Sequence, residues 1–351
     1  MSENVRTALA AVVDGRTLSL DEARAAMGAV MDGEATPSQL AALLVALRMR
    51  GETVDELAGF AAAMRDRVTR VEAPDGVVDT CGTGGDGSGT FNISTAAALV
   101  VAGAGVPVAK HGNRAVTSRA GSADVLDALG VRIDHDAASA GVALREIGFA
   151  FLFAPNFHPA MKHAGPTRRE IGVRTAFNLL GPLTNPAGAR RQVIGVGDAA
   201  AAPRLAEVLR RLGAERAFVV HGDGLDELPL DGSGVLYHAS PDEVVRHEID
   251  ARRLGLAAAP TSRLAGGDAT DNARLVEAVL HGESGARRDV VALNAAAAFL
   301  AAGRVERLEE GLEVAALTID AGLAAELLER LRAERRAADA ARPAEPTGAP
   351  A

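Results

Sequence analysis

Apolar positions divide the chain into two patterns. Over roughly the first seventy residues they recur only at helical spacing, between polar starts and glycine stops. Ser19–Glu22, Thr36–Gln39 and Thr53–Glu56 each place a hydroxyl three residues before an acid or amide, where the two satisfy orphan backbone N–H groups reciprocally at a helix start. Pro37 falls at a first helical position, where its missing donor costs nothing. Gly15, Gly33 and Gly51 fall where helices would stop. The run LAALLVALRMR is apolar on most of its circumference, so the helix across Gln39–Arg50 is expected to be buried or to meet a partner.

From Gly76 the period changes. Short runs (VVDT, VPVAK, FAFLFA, QVIGVG, RAFVVHG) alternate with helical ones such as Ser122–Leu129 and Ala201–Leu212. Such alternation predicts a mostly parallel sheet covered by helices, with functional loops at the carboxyl ends of the strands. PTRREIGVRTAFNLLGPLTNPAG, residues 166–188, interrupts it: helical at first, then sharply turned, it is expected to return to the helical part. The last third reads as mainly helical, and the Ala/Pro-rich tail as disordered. The fold class expected is α/β, a small all-helical domain plus a larger α/β domain around a mostly parallel central sheet. The boundaries expected are 1–72 with 166–186 for the helical domain, 73–165 and 187–338 for the α/β domain, and 339–351 for the tail.

Composition narrows the function classes. The chain has 351 residues, 48% hydrophobic and 24% charged, with a net charge of −9. An acidic chain is poorly suited to general nucleic-acid or membrane-surface binding. Its one cysteine, Cys81, excludes an internal disulfide and fits a reducing cytoplasm. The first residues carry acids at Glu3 and Asp14 and no compact apolar stretch, so no signal peptide is expected, and no apolar run is long enough to suggest a membrane span.

The candidate chemistry lies in three loops. DTCGTGGDGSGTFNIST, residues 79–95, has five glycines between a predicted strand and a predicted helix. Loops of this kind turn backbone N–H groups and a helix N-terminus toward an anion. The loop has no lysine, so it is not a Walker A motif. GTGGDG does match G-x-G-x-x-G, but after the next strand comes Lys110 instead of the acid that would hold a ribose diol, and a lysine suits phosphate. Asp86 offers an acceptor for hydroxyls or metal-bound water. Thr90, Asn92, Ser94 and Thr95 add short polar side chains, the last two also suited to helix capping. The second loop, KHGNRAVTSRAGSAD, offers Lys110, His111, Asn113, Arg114, Thr117, Ser118, Arg119 and Ser122. The third, HGDGLDELP, carries Asp223, Asp226 and Glu227, a set suited to a hard divalent cation that also binds phosphate. His158 and His163 are five apart and share no helix face, which argues against H-E-x-x-H zinc chemistry. By pattern alone, Arg168, Arg169 and Arg174 read as a solvated helix face.

Taken together, DTCGTGGDGSGTFNIST, KHGNRAVTSRAGSADVLDALG, FLFAPNFHPAMKH, RTAFNLLGPLTNPAGARRQVIGV and VVHGDGLDEL resemble the anthranilate phosphoribosyltransferases of tryptophan biosynthesis, in the family's order from about residue 75 to 230. The first motif is shared with pyrimidine nucleoside phosphorylases; the KHGN loop argues against that alternative, and the net charge argues against a nucleic-acid-binding relative of the fold. The resemblance implies that phosphoribosyl pyrophosphate meets Gly82, Gly85, Asp86, Thr90, Asn92, Ile93, Ser94 and Thr95, the loop Lys110, His111, Gly112, Asn113, Arg114, Ala115, Val116, Thr117 and Ser118, and Ser122. It implies two Mg2+ ions reached by Ser94, Asp226 and Glu227. It places anthranilate near Gly82, Asn113, His158, Arg168 and Pro182, and it implies a cytoplasmic homodimer paired through the helical domains. No catalytic proton acceptor stands out; His111 is read only as a hydrogen-bond partner. The last hundred residues carry no recognisable motif.

Overall fold

The computed structural model describes residues 1–115 and 118–341. Val116 and Thr117 of the second loop, and residues 342–351 of the expected tail, lie outside the described residues. Four helices open the chain: α1 (Glu3–Val13), α2 (Leu20–Met31), α3 (Pro37–Arg50) and α4 (Val54–Arg65). All three expected capping boxes form, on α2, α3 and α4. Glu56 does more than cap. It is fully buried, accepts from the N–H groups of Thr53 and Leu18, both at 2.8 Å, and pairs with Arg50. On α3, Leu40, Leu43, Leu44 and Leu47 are buried, while Val45 (38% exposed) and Met49 (83%) face outward.

The rest of the chain follows as β1 (Val78–Gly82), α5 (Ile93–Gly103), β2 (Val108–Gly112), α6 (Ser122–Ala128), α7 (Ala137–Glu146), β3 (Phe149–Phe153), α8 (Ala154–Phe157), α9 (Gly165–Ile171), α10 (Phe177–Leu180), β4 (Arg191–Gly195), α11 (Ala201–Arg211), β5 (Arg216–Gly222), β6 (Gly234–Ala239), β7 (Val244–Ile249), α12 (Ala269–Leu280), α13 (Ala286–Ala302), α14 (Leu308–Asp320) and α15 (Leu323–Ala341). One seven-stranded sheet runs β3-β2-β1-β4-β5-β6-β7. Its first five strands pair in parallel and are the five that the alternation predicts. The last two are antiparallel and are not among the runs read as strands; beyond them the last third is mainly helical, as expected. The edge strand β7 has no fully buried residue and so carries no apolar run to read. Helix α5 and helix α13, rich in Ala and Val, form the centre of the larger core beside the sheet.

The segment after β3 does pack against the N-terminal helices. Helix α9 lies on α3, α10 on α4, and a 3-10 turn, Pro159–His163, on α2. Arg65 on α4 donates to the Leu183 carbonyl at 2.6 Å and to the Leu212 carbonyl at 3.2 Å, fastening the segment from below. Helix α15 continues through residues 339–341, past the end expected for the ordered chain. Among the described residues, no helix is long and apolar enough to cross a membrane.

Candidate active site

The parallel strands β1, β2, β4 and β5 each end in a glycine at one edge of the sheet: Gly82, Gly112, Gly195 and Gly222. Strand order reverses between β1 and β4, the position where open α/β sheets form a crevice. The three loops identified from sequence all start from this edge.

Loop one takes its shape from left-handed glycines. Gly84, Gly85, Gly87 and Gly89 have φ of 64, 69, 74 and 67°, which a side chain would strain. Loop three is tied directly to it. The Gly84 N–H donates to an Asp226 carboxylate oxygen at 3.1 Å, and the Ser94 N–H, in the first turn of α5, donates to Glu227 Oε1 at 2.9 Å. Asp86 accepts from the N–H of Ser88 at 3.1 Å and approaches that of Asp226 at 3.4 Å.

Asp86, Asp226 and Glu227 thus share one corner. Burial, then the neighbouring Asp86, raises the Asp226 carboxyl far above its usual range; burial, then Asp226, pushes Glu227 up to about 8. Carboxylates gathered in this way repel one another, and a cation between them would relieve that repulsion. Their oxygen donors suit a hard divalent ion, and among the described residues no three His, Cys, Asp or Glu close a cage by themselves. A site on one or two carboxylates, completed by phosphate and water, is the usual way to hold Mg2+. The residues therefore fit that ion.

Lys110 requires a correction. The pattern places it in the cationic loop, facing phosphate. Its side chain is instead 2% exposed and turned inward, its ammonium donating to the Thr80 carbonyl beneath the first loop. Burial lowers its affinity for a proton, while Asp79, Glu227 and Asp226 oppose that effect. Arg114 is also engaged: it pairs with Asp124 at 2.8 Å and Asp127 at 3.2 Å, and lies 6.0 Å from the centre of the Phe153 ring. Among the described residues of the second loop, the open polar groups are Asn113, Ser118 and Arg119, with Gly112, Ala115 and Ser122 half-buried. In loop one, the side chains of Ile93 and Thr95 are buried, whereas Gly82 and Gly85 are exposed and Thr90, Asn92 and Ser94 are half-buried.

His111 and His158 form a buried pair, with Nε2 atoms 3.1 Å apart. Burial holds His111 down at about 3 and His158 at about 4. Pro182 is buried and follows Gly181, whose backbone hydrogen-bonds His111; the Pro182 carbonyl accepts from Gln192 at 2.9 Å. Arg168 stacks on Phe177, its guanidinium carbon 4.7 Å from the ring centre. Among the described residues no carboxylate pairs with it, and burial disfavours its charge. Arg168 is thus a half-buried cation without a counter-ion.

Several residues that hold the site carry no signal in the sequence. Asp124 accepts from Ala115 N–H and Gly121 N–H, both at 2.9 Å, and shapes the second loop. Asn294 on α13 brackets Leu228, accepting from its N–H at 2.9 Å and donating to its carbonyl at 3.1 Å, which fixes the acidic loop from behind. Asn272 on α12 donates to Asn92 at 2.9 Å, and Gly266 N–H donates to the Gly89 carbonyl at 2.9 Å. The last hundred residues therefore brace the first loop without presenting a motif. Arg174, read as solvated, donates to the carbonyls of Gly84 and Gly85.

A helical bundle beside an α/β domain is the architecture of a glycosyl transferase family. The chain belongs to the glycosyl transferase family and, within it, to the anthranilate phosphoribosyltransferases: the family's a/b domain matches residues 74–325 and its helical bundle domain residues 6–68. An anthranilate phosphoribosyltransferase of Pelotomaculum thermopropionicum is 56% identical over 329 residues, covering 93% of this chain and 95% of that protein. One of Chloroflexus aggregans is 54% identical over 336 residues, covering 95% and 99%. The crystal structure of the enzyme from Thermus thermophilus superposes with a TM-score of 0.89 at 47% identity, covering 94% of this chain and 99% of that one. The Saccharomyces cerevisiae enzyme in complex with PRPP and Mg superposes at 0.87 and 26% identity, covering 96% and 99%.

The buried histidines give a pH dependence. Unfolded, each takes a proton below about pH 6.5. Folded, His111 waits until about 3, and His135 and His158 until about 4. Between these limits the unfolded chain binds more protons. Stability is therefore unaffected by these groups above pH 6.5 and falls as pH drops below it, by about 1.4 kcal/mol per unit for each histidine. The imidazole resonances of all three should remain those of the neutral ring at pH 5.5, and midpoints of urea unfolding should fall between pH 7 and 5.5. Titration of His111 and His158 near pH 6.5 would contradict the burial argument.

Proposed function

We propose that the chain transfers the phosphoribosyl group of 5-phospho-α-D-ribose 1-diphosphate to the amine of anthranilate and releases pyrophosphate. The observation that carries this reading is the meeting of the glycine loop with the acidic loop at one bare strand edge. Open N–H groups there face a polyanion, and adjacent carboxylates call for the cation that such a polyanion brings. The relatives' names and the complex of the yeast enzyme with PRPP and Mg support it.

In this reading, Gly82, Gly85, Asp86, Thr90, Asn92 and Ser94 hold phosphoribosyl pyrophosphate from one side, with backbone groups at Ile93 and Thr95. The segment from Gly112 to Ser118, with Ser122, holds it from the other. Lys110 acts from below, holding the Thr80 carbonyl beneath the first loop. Asp226, Glu227 and Ser94 would hold two Mg2+ ions, which would supply Lewis-acid neutralisation of the leaving pyrophosphate. Anthranilate lies near Gly82, Asn113, His158 and Pro182, its carboxylate on the guanidinium of Arg168, whose planar fork suits it. The neutral aromatic amine attacks C1′ of the ribosyl group as the C1′–O bond to pyrophosphate breaks, with inversion. The new N–C bond leaves the nitrogen with a proton to shed, and no base is needed before attack. The chain's principal task is alignment, which supplies up to about 7–11 kcal/mol when two reactants are held in line. The N–H groups of the first loop add preorganised stabilisation as negative charge grows on pyrophosphate.

The direct test is loss of anthranilate fluorescence on mixing protein, Mg2+ and phosphoribosyl pyrophosphate. Wild type should consume anthranilate; Asp226→Asn with Glu227→Gln should not, with secondary structure retained. Near-normal turnover by the double variant at limiting Mg2+ would refute the metal assignment.

Arg168→Ala should weaken the use of anthranilate by about 10- to 150-fold, the loss of a hydrogen bond to a charged group of about 1.5–3 kcal/mol. KM for anthranilate should rise and that for phosphoribosyl pyrophosphate should hardly move. Equal effects on both would show that Arg168 does not meet anthranilate.

We further propose a homodimer through the N-terminal helices. The apolar Val13 on α1 (68% exposed) and Val45 and Met49 on α3 lie on helices that pack together, leaving an uncovered apolar surface. Sedimentation velocity at micromolar concentration should give a dimer, and Val45→Glu with Met49→Glu should shift it to monomer. A wild-type monomer would rule the interface out.

A further inference from the structure

Arg174 stands between two fixed helix ends. Gly172, left-handed at φ 69°, closes α9 before it, and Thr175 N–H donates to Asn178 at 2.9 Å where α10 begins after it. From this position its Nη1 donates to the carbonyl of Gly84 at 2.9 Å and to that of Gly85 at 3.1 Å. One nitrogen thus spans two consecutive peptide units of the glycine loop, 90 and 89 residues away in sequence.

The consequence follows from peptide geometry. In a trans peptide the carbonyl of one residue and the N–H of the next point in opposite directions. Holding the Gly84 and Gly85 carbonyls toward Arg174 therefore turns the N–H groups of Gly85 and Asp86 away from it. Neither N–H, nor that of Gly87 after them, finds a hydrogen-bond partner among the described residues, whereas those of Gly84 and Ser88 are taken by Asp226 and Asp86. Gly84 and Gly85 are both left-handed, and glycine moves freely between that region and others, so nothing intrinsic to the two residues keeps these peptides oriented. An external clamp supplies what the sequence of the loop lacks.

We propose that Arg174 is a positioning residue that clamps the glycine loop so that the N–H groups of Gly85 and Asp86 are presented to the pyrophosphate of phosphoribosyl pyrophosphate. The inference rests on the proposed transfer reaction. It also gives the returning segment a second role: Arg168 on α9 and Arg174 just beyond it serve different substrates, one by contact and one through the loop.

The test is steady-state kinetics on the full-length protein with Arg174→Ala, Arg174→Lys and Arg174→Gln, together with inhibition by inorganic pyrophosphate. The Ala variant should raise KM for phosphoribosyl pyrophosphate by about 10- to 100-fold, the scale of one charge-assisted hydrogen bond. The inhibition constant of pyrophosphate should rise in parallel, while KM for anthranilate stays within about twofold. Lysine, whose ammonium has several donors, should recover most of the loss, and glutamine should not. Should the Ala variant fail to fold, the Lys and Gln pair makes the same comparison. Unchanged KM for phosphoribosyl pyrophosphate and unchanged pyrophosphate inhibition in a folded variant would overturn the clamp, as would a rise confined to anthranilate. A wild-type protein that leaves anthranilate untouched would instead defeat the transfer reaction itself, so the two failures are distinct.

Discussion

Bare strand ends are the constraint on which this site depends. A Cβ on Gly195 would stand 1.7 Å from the Asp226 carbonyl oxygen, and one on Gly82 would stand 2.5 Å from the Asp226 carboxylate. On Gly222 it would meet Pro229 at 2.5 Å and the Glu227 carbonyl at 2.6 Å; on Gly112 it would meet the Ser122 hydroxyl at 2.3 Å. None of these four glycines has a positive φ. Their purpose is space, because the acidic loop folds down onto the ends of β1, β4 and β5 and the start of α6 folds down onto the end of β2. With larger residues the loops would stand off, and the contacts of Gly84 with Asp226 and of Ser94 with Glu227 could not form.

That close approach creates an electrostatic problem. It buries Asp226 and Glu227 beside Asp86, and both suffer desolvation and mutual repulsion, seen as raised carboxyl pKa values. Lys110 offsets part of this from beneath the loop, although it too is disfavoured by burial. Its inward position explains why a lysine is found here without being open to phosphate: it faces the acids from their protein side and opposes their repulsion. A ligand that carries both metal and negative charge relieves the repulsion and satisfies the open N–H groups in one event. Stability is given up where binding later recovers it.

Much of this organisation was legible in the sequence because it rests on local rules. Ser19, Thr36 and Thr53 mark helix starts through contacts three residues away, and the five parallel strands are short apolar runs bounded by glycine. Asp226 and Glu227 were legible as neighbouring acids after a strand. Long-range partners were not. Nothing in the composition of α13 distinguishes Asn294 from a tolerated polar residue in an Ala-rich helix, yet it holds Leu228 from 66 residues away. Lys110 misleads for the same reason: a lysine at the end of a strand reads as exposed, and only the packing of β1 beside β2 shows that its stem crosses beneath a buried peptide. Strand β7 is missed because an exposed edge has no need of an apolar face.

The return of the chain to the helical bundle is the remaining step. Residues 165–183 could have continued as another sheet-covering helix. They instead pack on α3 and α4 and are pinned by Arg65. A guanidinium at Arg168 then gains an aromatic face from Phe177, and one at Arg174 reaches the glycine loop of the other domain. Both depend on a short, turn-rich segment whose position is set by the bundle while its side chains act on the sheet edge. Any movement of the bundle relative to the sheet would therefore change the setting of the glycine loop and of Arg168 together. The helical domain is in this sense part of the site: it fixes the segment through which the two halves of the cleft are aligned.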